Sequence, residues 1–175
     1  MTQFGIGQSV SRFEDPRLLR GQGQFIDDHN LPGQAHAVLV RSPHAHARIK
    51  SIHTQAALKA PGVLAIYTGE DVAADGLGTM KMTLPRKRPD GSPMFYRQHQ
   101  GLSRGEVKYV GDPVALVVAE TIWQAKDAAE LVEVDYEPLP SVTDTLQLVD
   151  GPAAPVWREC PDNLSHIFEQ GNAQA

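Results

Sequence analysis

Val107-Lys108-Tyr109-Val110-Gly111-Asp112-Pro113-Val114-Ala115-Leu116-Val117-Val118-Ala119-Glu120-Thr121 is the most informative stretch of this chain. Val114 to Ala119 is an unbroken apolar run of strand length, rich in β-branched residues. Such a run predicts a strand buried on both faces. Gly111-Asp112-Pro113 is a turn that sets the strand's start. Thr121 supplies a hydroxyl to cap the helix that follows. No residue in the stretch reads as a nucleophile, a general base or a metal ligand, so it reports architecture.

Downstream, Ile122, Ala125, Ala129 and Val132 recur at spacings of three and four, which predicts a helix over 121–131 with one apolar stripe. A strand over 132–138 follows, with Val132, Val134 and Tyr136 inward and Glu133, Asp135 and Glu137 outward. Asp144 to Val149 reads as a helical turn. Upstream, residues 1–33 are turn-rich. Ala35–Arg41 is a strand ended by Ser42-Pro43. Ala47–Ile52 is a second strand, with Ala47, Ile49 and Ser51 the inward set. Thr54 is a possible cap for a short helix over 54–60, closed by Pro61-Gly62. Val63–Thr68 is a third strand, and Gly69 to Ala74 a short helix. Residues 76–105 form a long, mostly irregular loop, a length usually tied to function or disorder. The order gives an α+β domain of about 110 packed residues, a mixed sheet with short packed helices.

At 175 residues the chain holds about one domain. A net charge of −5 argues against nucleic acid as the main partner. The single cysteine, Cys160, excludes an internal disulfide and a four-cysteine metal centre built from this chain alone. Its neighbours Glu159 and Asp162 do not favour a reactive thiolate. No apolar run approaches the ~20 residues of a membrane span. The expected location is cytoplasmic.

Each candidate for chemistry has a plainer competitor. Gly5-Ile6-Gly7-Gln8-Ser9-Val10 and Gly21-Gln22-Gly23-Gln24-Phe25-Ile26 begin like dinucleotide fingerprints but lack the third glycine and the strand-to-helix setting. They read as turns. His44 and His46 share a strand face, with His36 and His53 nearby, but no carboxylate or cysteine completes a tetrahedral set. Hydrogen-bonded packing is the expected role of His44 and His46. Glu14-Asp15 and Asp27-Asp28 read as turn and cap residues, and the Glu133/Asp135/Glu137 face as solvated surface. Lys81, Arg86, Lys87, Arg88, Arg97 and Arg104 make the 76–105 loop basic. It could hold an acidic partner or lie solvated. No catalytic, cofactor-binding or metal residue is assigned on this chain.

Several motifs resemble one family in order. They are Arg12-Phe13-Glu14-Asp15-Pro16-Arg17-Leu18-Leu19-Arg20-Gly21-Gln22-Gly23, Phe25-Ile26-Asp27-Asp28, Leu31-Pro32-Gly33, and Val40-Arg41-Ser42-Pro43-His44-Ala45-His46-Ala47-Arg48-Ile49. Ala60-Pro61-Gly62-Val63, Thr68-Gly69-Glu70-Asp71 and Tyr109-Val110-Gly111-Asp112-Pro113-Val114-Ala115 continue the set. Together they resemble the opening of the large subunit of molybdenum hydroxylases: xanthine dehydrogenase, aldehyde oxidase and the aerobic carbon monoxide dehydrogenase. The resemblance implies an α/β-hammerhead over 21–140, an extended arm at 1–20, and a linker over 141–175 leading towards a molybdopterin-binding domain. It implies that the complete subunit is an oxidoreductase. That subunit binds molybdopterin and oxidises an aldehyde, a purine or carbon monoxide, with iron–sulfur and FAD centres on partner subunits or domains. The segments that contact the cofactor, and the catalytic glutamate, have no match here. The expectation is a fragment or split gene product acting as an N-terminal scaffold, inactive alone. The alternative is a self-standing binding module using the basic 81–104 loop for an acidic partner.

Overall fold

The computed structural model describes residues 7, 11–151, 153–168 and 170–171. The chain divides into two units, Met1–Gln34 and Ala35–Ala175. In the first, α1 (Asp15–Leu18) and a 3₁₀ turn (Ile26–Asp28) are held by local bonds. Asp15 accepts the Arg12 N–H at 3.3 Å, and Asp28 accepts the Phe25 N–H at 2.9 Å. The acidic pairs therefore serve turns, as their setting suggests. No described residue of 11–34 is buried.

The second unit runs β1 (His36–Arg41), β2 (Ala47–His53), α2 (Gln55–Leu58), β3 (Val63–Thr68) and α3 (Gly69–Ala74). Three two-residue strands follow: β4 (Thr79–Met80), β5 (His99–Gln100) and β6 (Glu106–Val107). Then come β7 (Pro113–Ala119), α4 (Ile122–Glu130), β8 (Glu133–Pro138) and α5 (Thr145–Asp150). The α+β class holds, but in place of the expected mixed sheet the ladders among the described residues are all antiparallel and form separate sheets. One sheet has the order β1-β7-β3, a second β6-β2-β8, and β4 pairs with β5. The loop at 76–105 is thus a hairpin-like excursion closed by the β4–β5 ladder.

β7 is central because its side chains satisfy two cores. Ala115 and Val117 are fully buried with Ala57, Ala128 and Val132, beneath α2 and α4. Val114, one residue earlier, is fully buried with Ala47 and Val107 instead. Alternation along the strand turns these neighbours to different clusters, and the β1–β7 register shifts beside them. Beyond Val114, burial is complete on the helix side only. Leu116 and Val118, on the other face, remain half-buried.

β2 departs from simple alternation. Its register against β8 shifts between Ile49 and Ser51, which makes Lys50 the extra residue. Ile49 therefore packs with Val107 and Val114, while Ile52 packs with Ala115 and Val117. The inward role expected of Ser51 belongs to Ile52. On α4, Ala128 is buried and Ala129 only half so, which widens the expected stripe by one position.

Local chemistry fixes the ends. Thr121 Oγ1 accepts the Gln124 N–H at 3.2 Å, capping α4 as read. Thr54 occupies the cap position of α2 without a side-chain bond, because its backbone is already helical. Asp71 accepts both the N–H and the hydroxyl of Thr68 at 2.7 Å, and these bonds hold its pKa below the ordinary carboxylate value. Gly62 has φ +74°, and a Cβ there would come within 2.3 Å of the Gln124 side chain. The Gln124 side-chain end can swing away, so it is the positive φ that favours glycine at this turn.

Candidate functional site

The turn before β7 organises the polar interior. Gly111 has φ +90°. Its N–H donates to Ser42 O at 2.8 Å, and Ser42 N–H returns a bond to Asp112 O at 2.9 Å. The Asp112 carboxylate, 8% exposed, accepts Lys108 N–H at 2.9 Å and the Ser103 hydroxyl at 2.7 Å. Asp112 is a buried anchor, a role its place in a Gly-Asp-Pro turn does not announce.

Lys108 then points into a cleft of about 490 Å³ lined in part by Arg48, Arg97, Glu106, Tyr109 and Trp157. Its ammonium is nearly enclosed. It pairs with the Glu106 carboxylate, donates to Val156 O at 3.1 Å, and lies 4.7 Å from the centre of the Trp157 ring. It also meets His46 Nε2 at 3.2 Å. The other ring nitrogen, Nδ1, lies 2.8 Å from Pro140 O. A carbonyl only accepts, so Nδ1 carries the proton and Nε2 offers its lone pair to Lys108. The bond from Lys108 holds the Glu106 carboxyl below its usual range. A lysine nucleophile needs a free neutral amine. Lys108 is instead a tie between β6, β2 and the chain near residue 156.

A Ser/His/Asp cluster also forms, which spacing alone does not reveal. Ser51 Oγ donates to Asp135 Oδ2 at 2.5 Å. His53 Nε2 lies 3.0 Å from Ser51 Oγ and 3.1 Å from the same Asp135 oxygen. A proton relay places histidine between the other two, using a different nitrogen for each. Here one nitrogen serves both partners, so the cluster is a cross-strand bond between β2 and β8. Its serine hydroxyl, followed by His53, keeps the Asp135 pKa low. Glu137 pairs with Arg48 at 2.7 Å. Asp135 and Glu137 are therefore tied to β2, on a face that stays solvated as alternation suggests.

His44 sits edge-on to Tyr136 at 4.9 Å, and His46 makes the bonds above. Packing is their role, as expected. Among the described residues no three His, Cys, Asp or Glu side chains converge to hold a metal ion. The fingerprint-like stretch around Gly5 lies largely outside the described residues. The one at Gly21 leads into the 3₁₀ turn with no strand before it.

Arg86, Arg88 and Arg97 of the basic loop meet residues 153–168, whose composition reads as linker, while Lys81 and Lys87 stay exposed. Arg88 reaches Ser165 O at 3.3 Å, Asp162 at 3.3 Å and Leu164 O. Arg97 pairs with Glu159 at 3.4 Å, and Arg104 with Glu70 at 2.7 Å. Arg86 lies 5.2 Å from the centre of the Phe168 ring. Cys160 is 3% exposed, and burial first, then Asp162, pushes its thiol pKa up. Both disfavour the thiolate despite the Arg88 guanidinium 3.6 Å away, a neighbour that local sequence does not show.

A family model described as aldehyde oxidase and xanthine dehydrogenase, a/b hammerhead domain, matches residues 20–140. The chain belongs to that family. This hammerhead chain is 39% identical to the nicotine 6-hydroxylase large subunit of Paenarthrobacter nicotinovorans over 94% of its length and 19% of the relative's. It is 41% identical to the carbon monoxide dehydrogenase large chain of Afipia carboxidovorans, over 89% of its length and 18% of the relative's. Quinoline 2-oxidoreductase from Pseudomonas putida 86 shares the fold with a TM-score of 0.69 at 39% identity, over 85% of this chain and 18% of that one. The hammerhead chain thus spans about a fifth of the length of these relatives. Another relative is named as subunit gamma of a 6-hydroxypseudooxynicotine dehydrogenase complex. No described helix is long and apolar enough to cross a membrane.

Proposed function

We propose that this chain is the N-terminal scaffold domain of a molybdopterin-dependent oxidoreductase large subunit, inactive alone. In that reading residues 21–140 are the hammerhead, 1–20 an arm and 141–175 the link to a cofactor-binding domain. The complete enzyme hydroxylates or oxidises a small substrate such as an aldehyde, a purine or carbon monoxide. It passes electrons to iron–sulfur and FAD centres held by partner subunits or domains. A cytoplasmic location goes with this reading.

The observation that carries it is the use to which reactive side chains are put. Within a family-matched fold, His46, Lys108, Ser51, His53 and Asp135 each serve to join one backbone segment to another, Glu106 pairs with Lys108, and Cys160 lies against the Arg88 guanidinium. The donors present do not fit a molybdenum centre, because they diverge into separate strand-to-strand bonds. The arginines that face the Lys108 cleft are likewise paired with carboxylates rather than offered to a phosphate. No residue of this chain is therefore assigned to the cofactor, and no step is derived through it. The binding-module alternative needs Arg86, Lys87 and Arg88 as a free surface, and Arg88 is spent inside the fold.

The test is metal and pterin analysis of the purified chain, with turnover assays on aldehydes, purines and carbon monoxide using an artificial electron acceptor. The expected result is neither cofactor nor turnover. Bound molybdopterin with substrate oxidation by this polypeptide alone would overturn the reading.

A further inference from the structure

The β1-β7-β3 sheet is covered on one face and only partly covered on the other, where Leu39 and Leu116 are half-buried. α4 packs against β1 and β7 on the first. On the second, Leu39, Leu116 and Tyr67 stand opposite one another across all three strands. They floor a groove of about 600 Å³ whose rim includes Val72, Leu77 and Met80. Tyr67, Leu77 and Met80 are 43%, 73% and 62% exposed. Asp75 is the one charged residue lining the groove among those described. An apolar floor this continuous is a docking surface on a soluble protein, since water contact with it is unfavourable.

The size of the relatives narrows the occupant. They devote about four fifths of their length to polypeptide with no counterpart here, with 18% of the Afipia carboxidovorans large chain matched. Asp75 narrows it further: a carboxylate alone on an apolar rim is complemented by a cation that brings aliphatic surface with it. We infer that the Leu39/Leu116/Tyr67 groove seats a segment of the remaining large-subunit polypeptide, one that presents aliphatic side chains and a lysine or arginine directed at Asp75. This rests on the scaffold reading above and names the face through which the scaffold engages.

The test grafts this chain in place of the matching region of the Afipia carboxidovorans large chain. It follows maleimide labelling of Met80→Cys in the graft and in the isolated chain. Lys126→Cys on α4, across the sheet from the groove, is the control. Protection of Met80→Cys by at least tenfold in the graft, with Lys126→Cys unchanged, is the expected result. Adding Asp75→Lys should return most of the lost reactivity. Equal labelling of Met80→Cys in graft and isolated chain would overturn the inference while leaving the scaffold reading intact. Protection in the isolated chain that grows with its concentration would overturn it in favour of a second copy of this chain. Protection indifferent to Asp75→Lys would remove the cationic partner. A graft that yields no soluble large chain while the parent does would count against the scaffold reading, and the inference would fall with it.

Discussion

β7 with α4, and the paired segments 86–97 and 153–168, are ordered by opposite means. In the first, Ala115, Val117 and Ala128 lose all contact with water and the backbone ladder follows. In the second, one guanidinium gathers two carbonyls, a carboxylate and a thiol sulfur from four positions of a proline-bearing segment. Apolar burial is non-directional and spreads its stabilisation over many contacts. A cation hub is directional and concentrates it, so one substitution releases the whole segment. The two regions should therefore fail differently.

The largest expected effect is in the first region. Val117→Ala removes two methyl groups from a fully buried site and should lower global stability by about 2 kcal/mol. Urea unfolding should show one cooperative transition at lower midpoint with an unchanged slope. A biphasic curve would mean that β7 is not shared by both cores. Next comes Arg88→Ala, with a much smaller global cost but local opening of 153–168. Amide exchange there, and iodoacetamide labelling of Cys160, should accelerate by about tenfold or more while β7 amides stay protected. Uniform acceleration would erase the contrast between the regions.

The smallest effect is a pH dependence. Lys108 holds Glu106 below its usual pKa in the folded chain. The stabilisation is therefore complete above the unfolded value of about 4.3 and is lost as pH falls below it towards the folded value. Glu106→Gln should be less stable than wild type at neutral pH, and the gap should close on acidification below about pH 4. A gap that widened in acid would reverse the sign of the argument.

How much of this is legible in sequence follows from the same contrast. Val114 to Ala119 announces itself because apolar composition and strand length are local properties. Val63–Thr68 and Gly69–Ala74 fall where read, since Gly62, Thr68 and Asp71 mark their ends within a few residues. Ile52 was not legible as a core residue, because the shift at Lys50 is set by pairing with β8 some eighty residues away. The Lys108 tie draws on β2, β6 and residues near 156, and Arg88 on a segment more than seventy residues downstream. No spacing rule reports such meetings. The family motifs supplied the hammerhead, but not which polar side chains hold it together.

The displaced register at Lys50 has one more implication. By taking up a single surplus residue, β2 becomes a party wall: Ile49 furnishes one room and Ile52 the other. If Lys50 were paired in a regular ladder instead of bulged out, alternation would turn Ile52 to the face opposite Ile49. Both hydrophobic chambers are thereby tied to one bulge, and a further residue inserted beside it would put Ile49 and Ile52 out of phase.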